Sequence, residues 1–123
     1  MSSTQEKNNL IQWMKSVIAL DALSVIELNQ MSFAEFCKRH SNVLETIDNC
    51  TYQELKDTFC TAQKLAVQTF NEILERTLKA CKKYNRGLYN FEEVIDTIYR
   101  ETTNLNTFYR ELLLRTVLTI KEF

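Results

Sequence analysis

Four thiols and one imidazole are the groups in this chain whose types could do chemistry: Cys37, Cys50, Cys60, Cys81 and His40. Cys37 and His40 stand three positions apart, so one turn of helix could bring the thiol to the base that a cysteine nucleophile needs. Nothing in the neighbouring sequence marks an oxyanion hole or an orienting acid, and a helix-terminal histidine beside a buried cysteine accounts for the pair. Zinc is usually held by three or four cysteine or histidine ligands with short spacings inside each half-site. Here no two cysteines are closer than ten positions and there is one histidine, so no metal is expected. A loop that grips phosphate through its amides needs several glycines, and Gly87 is alone. The carboxylate pairs Glu72/Glu75 and Glu92/Glu93 fall on predicted solvent faces, where charge serves solubility. "KACKKYNR" gathers cations at a predicted helix C-terminus, where the helix dipole favours them, without the wide basic face of a nucleic-acid binder. The chain reads as a non-enzyme without cofactors.

The totals narrow the class. With 15 basic and 16 acidic groups the net charge is −1, which gives no general pull toward nucleic acid or anionic membrane. Hydrophobic residues make up 45%, enough for a packed core in a chain of 123 residues read as one domain. One glycine and no proline leave nothing to build tight hairpins from, while helix interiors want neither residue. The fold is therefore expected to be all-α. A polar N-terminus without a signal-peptide core, and no run of about 20 apolar residues, point to a cytoplasmic protein whose cysteines are reduced and mostly buried.

Periodicity and capping residues divide the chain into elements. Leu10, Trp13, Met14, Val17 and Ile18 follow a helical stripe over residues 6–19. Asp21 reads as the N-cap of a short helix carrying Leu23, Val25, Ile26 and Leu28. Ser32 and Glu35 have capping-box spacing and open a helix through His40, and Ser41 reads as the cap of one more turn through Ile47. Thr51 and Glu54 repeat the spacing at the head of a stripe from Tyr52 through Leu55, Phe59, Ala62, Ala66, Phe70, Ile73 and Thr77 to Cys81. That stripe predicts a helix of about 33 residues, or about 50 Å, serving as a central spine unless it bends near Thr61 or Thr69. It closes on Lys79, Lys82, Lys83 and Asn85-Arg86-Gly87, where glycine suits a left-handed cap. Asn90 and Glu93 start a helix to about Arg100, and "TTN" at 102–104 breaks it. The last helix carries Leu105, Phe108, Tyr109, Leu112, Leu113, Thr116, Val117 and Ile120. Six or seven helices in a compact bundle with one long central helix is the expected architecture.

With no chemistry legible, function should lie in surfaces. Seven phenylalanines, five tyrosines and one tryptophan are many for a small helical core, notably Tyr89, Phe91, Tyr99, Phe108 and Tyr109. They suit either a core or a groove that accepts a partner helix.

The opening "LIQWM" (Leu10, Ile11, Trp13, Met14), followed by Val25 and Leu28, resembles the start of Hook-type domains. These are divergent calponin-homology folds at the N-termini of coiled-coil dynein adaptors such as the Hook proteins and NuMA. "ELLLRTVLTIKEF" is similar to that family's last helix. The match covers residues 10–36 and 105–123. It implies a calponin-homology-like fold with Trp13 in the core and a chain that continues beyond residue 123 into a coiled coil and a possible homodimer. It further implies a cytoskeletal or spindle protein that binds an amphipathic helix of the dynein light intermediate chain. The groove residues it implies are Tyr109, Leu113, Val117 and Ile120; Leu113 stands where Hook proteins carry glutamine, so the polar part of that contact is missing. Two other classes fit the residues. One is a helical cell-death or immune-signalling module, though no BH-like Leu-x-x-x-Gly-Asp is present. The other is a homodimerisation domain built on the long helix.

Overall fold

A computed structural model describes residues 4–22, 24–103 and 107–119. The described residues are all helix and connecting turn, in the order α1 (Thr4–Asp21), α2 (Val25–Gln30), α3 (Phe33–Arg39), α4 (Ser41–Leu44), α5 (Tyr52–Asn85), α6 (Phe91–Glu101) and α7 (Thr107–Thr119). The all-α expectation, with one long helix among seven, is met. Leu23, Leu105, Ile120 and the Phe108 side chain lie outside the description.

The chain forms two compact units, Met1–Val67 and Gln68–Phe123, and α5 contributes to both. Its helical hydrogen bonding is continuous over 34 residues, through Thr61 and Thr69 alike. The predicted stripe is buried from Phe59 to Cys81, whereas Leu55 is half-buried and Tyr52 exposed.

In the first unit an aromatic cluster ties α1, α3 and α5 together. The Phe36 ring lies 5.8 Å from Trp13, 5.0 Å from His40 and 5.1 Å from Phe59. Phe33 adds contacts to Phe59 and Tyr52 at 5.4 and 5.3 Å. From α5, Gln63 Nε2 donates to the carbonyls of Leu28, Asn29 and Met31 at 3.3, 3.3 and 3.0 Å. Those carbonyls end α2, where no helical donor remains for them, so one side chain closes the short helix against the long one.

Two cap assignments need correction. α1 runs on to Asp21, and the cap of α2 is Ser24, whose extended backbone lets Oγ accept from the Glu27 N–H at 3.2 Å. Asp21 is engaged elsewhere, by His40. Ser41 is the first residue of α4, and the N-cap position falls to His40, which makes no side-chain cap bond. The remaining caps form as expected: Ser32 accepts from Glu35 N–H, Thr51 from Glu54 N–H, and Asn90 with Glu93 closes a reciprocal box.

In the second unit α6 packs on α7. Val94, Thr97 and Ile98 are buried from α6, and Tyr109, Leu112, Leu113 and Val117 from α7. Arg110 Nε donates to Thr102 Oγ1 at 3.0 Å while its guanidinium lies 4.2 Å from the Tyr99 ring centre. Arg76 of α5 pairs with Glu101 of α6 at 2.7 Å. The end of α5 is closed by Gly87 N–H to Tyr84 carbonyl (3.0 Å) and Leu88 N–H to Lys83 carbonyl (2.9 Å), with Gly87 at φ +75°. A Cβ there would meet nothing within 4 Å, so Gly87→Ala should cost only the backbone strain, about 1 kcal/mol in urea denaturation. No measurable loss would mean that the turn rearranges freely.

Candidate partner-binding surfaces

Three of the four groove residues that the resemblance implies are buried. Tyr109, Leu113 and Val117 are 2, 0 and 2% exposed, and Ile120 lies outside the described residues. A partner helix could reach these three only by displacing what now covers them. Among the described large hydrophobic side chains of α7, the one that faces outward is Leu118, 68% exposed. Burial also pushes the Tyr109 phenol up to about 12. Its phenolate is disfavoured inside, so the unfolded chain, with tyrosines near pH 10, loses that proton first. Stability should hold below about pH 10 and fall by about 2–3 kcal/mol as pH rises to 12. Urea denaturation at pH 9 and pH 11.5 should show a smaller decline for Tyr109→Phe; identical declines would remove Tyr109 as the cause.

His40 is paired with Asp21 and not with Cys37. His40 Nε2 lies 2.6 Å from Asp21 Oδ2, both side chains about one-fifth exposed, with the Trp13 ring edge-on to the imidazole at 6.1 Å. Cys37 makes no hydrogen bond to His40, and burial raises its thiol further from ionisation. The pair therefore fastens the end of α1 to the end of α3. It was not legible in the sequence because its partners are 19 residues apart. The cysteines are free thiols, and of the four only Cys81 is buried; Cys37 and Cys50 are half-buried and Cys60 is exposed. Among the described residues no three histidine, cysteine, aspartate or glutamate side chains are grouped to hold a metal ion. No described helix is long and apolar enough to cross a membrane.

Trp13 is half-buried, not enclosed as the resemblance implies. One edge of its ring packs on Phe36, and the side chain also lines a cleft of about 450 Å³ in the first unit. Leu10 and Trp13 of α1 form one wall; Val43 of α4 and Ile47 of the following loop form the other. Leu10 and Cys50 also line an adjoining hollow of about 240 Å³ that runs along the first turns of α5 past Glu54 and Asp57. The two share Leu10 and Cys50 in their linings. Apolar floors of this kind take the apolar face of a helix or a few anchoring side chains of a peptide. The cleft escaped the sequence reading because the 45–50 segment carries no periodicity to say which of its side chains turn inward.

In the second unit, the turn after α5 exposes Tyr84, Leu88 and Phe91 beside Lys82, Lys83 and Arg86. Tyr84 and Phe91 pack edge-to-face at 5.7 Å, and Lys83 lies 5.0 Å from the Tyr89 ring centre. These contacts use the aromatic and cationic groups locally.

No protein-family model, curated protein or solved structure matches the chain.

Proposed function

We propose that this protein is a non-enzymatic docking module that receives an amphipathic helix from a partner protein. The observation that supports it is the cleft walled by Leu10 and Trp13 on one side and Val43 and Ile47 on the other: concave, apolar along those walls and bearing an aromatic ring. Interfaces concentrate their energy in such aromatic-lined pockets. The Hook-type resemblance names a specific ligand, the helix of the dynein light intermediate chain, and with it a role in recruiting the motor to cargo or spindle structures. That resemblance points to the last helix as the seat. With Tyr109, Leu113 and Val117 enclosed, the α1–α4 cleft is the better supported seat for the same kind of ligand.

The test is titration of the protein with a labelled light-intermediate-chain helix, followed by anisotropy and by Trp13 emission. Saturable micromolar binding that shifts Trp13 and is lost in Val43→Asp supports the reading. Binding that is insensitive to Val43→Asp but lost in Ile120→Ala would move the site to the last helix. No binding at high micromolar concentration rejects this partner.

A further inference from the structure

We infer that the α1–α4 cleft selects a cationic amphipathic helix, a refinement that rests on the docking reading above. Its lining carries three carboxylates that face it as acids, Asp48 in the cleft and Glu54 and Asp57 in the adjoining hollow. Against them stands one ammonium, Lys7. The protein as a whole carries 15 cations to 16 acids, so this is a local concentration of negative charge and not a reflection of composition.

Part of that charge has a local use. Glu54 belongs to the Thr51 cap of α5, with Thr51 Oγ1 3.2 Å from its carboxylate, and Asp57 accepts from Gln53 Nε2 at 2.9 Å. Each ionised carboxylate offers about four acceptor positions, so one such bond leaves the charge and most of the acceptor capacity in place. The N-termini of α1 and α5 oppose it with at most about half a positive charge each. The rim stays negative after both corrections. A concave apolar floor inside a negative rim raises the local concentration of a ligand with an apolar stripe flanked by lysine or arginine, and repels its acidic counterpart.

Trp13 is the only tryptophan and lines the cleft, so its emission reports occupancy without a label. The probes are two stapled helices of about 18 residues (five turns), one of leucine and lysine and one of leucine and glutamate, matched in helicity. The leucine–lysine helix should shift Trp13 emission and bind at least about tenfold more tightly at low salt, with the margin narrowing as salt rises. Two variants keep the result specific to the cleft. D48K/D57K changes two exposed rim residues and should erase most of that preference. Val43→Lys changes a side chain 44% exposed, so the fold tolerates it, and by removing an apolar contact and setting a cation in the cleft it should abolish the Trp13 shift. Equal binding of the two helices, or a preference that survives D48K/D57K, overturns the charge selection and leaves helix docking standing. Failure of both helices to move Trp13 overturns helix docking itself. A shift that survives Val43→Lys overturns the cleft as the seat.

Discussion

Phe36→Ala should destabilise the first unit by about 3–5 kcal/mol, the largest effect expected from any single truncation in it. Phe36 is fully buried and its ring touches three others, Trp13, His40 and Phe59, which belong to α1, the end of α3 and α5. Truncation removes the transfer energy of the ring and leaves a cavity that three separate elements would have to close. Rigid helices converging on one point cannot collapse into it far, which puts the cost at the upper part of the range. Small domains carry about 5–15 kcal/mol in total, so the melting midpoint should fall by more than about 10 °C. Trp13 emission should move to the red even below the transition, because its edge contact goes with the ring. A midpoint shift of only a degree or two would mean that the aromatic cluster is not the organising core of this unit.

The second large effect separates core from groove on α7. Leu113→Ala should cost about 2–5 kcal/mol, because that side chain is 0% exposed, whereas Leu118→Ala, at a site 68% exposed, should stay within about 0.5 kcal/mol. If Leu113 instead floored an open groove, its truncation would leave stability nearly intact and weaken only partner binding. Thermal melts of the two variants decide the matter without any partner. The comparison also guards the binding experiments: a Leu113 variant that loses a ligand says nothing about contact until its folding is known. Leu118→Ala carries no such ambiguity.

Much of the architecture was readable because its causes are local. The missing prolines and the solitary glycine exclude hairpins, and residues three and four apart share a helix face whatever else surrounds them. Ser32, Thr51 and Asn90 cap where their spacing to Glu35, Glu54 and Glu93 says they should, since a cap is a bond between neighbours. Asp21 and Ser41 misled for a related reason. Each is a residue type that caps well, but the carboxylate of Asp21 is held by His40, and Ser24 stands closer to the start of α2.

Distant partners were not readable. Nothing in the composition pairs Asp21 with His40, or brings Gln63 to three carbonyls at the end of α2. Nothing in the spacing sets Val43 and Ile47 opposite Trp13 across a cleft. The stripe Tyr109–Leu113–Val117 was correctly seen as one apolar face, yet periodicity identifies a face without saying what lies against it.

An all-helical chain, the positions of most helix starts and stops, and the apolar face of most helices could be read from the residues alone. Those follow from backbone preferences and the 3.6-residue turn, which act over a few residues. Which apolar faces are closed and which remain open is settled by packing, because burial depends on segments far apart in the chain. That is why the cleft beside α1 is open, while Tyr109, Leu113 and Val117 of the most regular stripe in the sequence are closed.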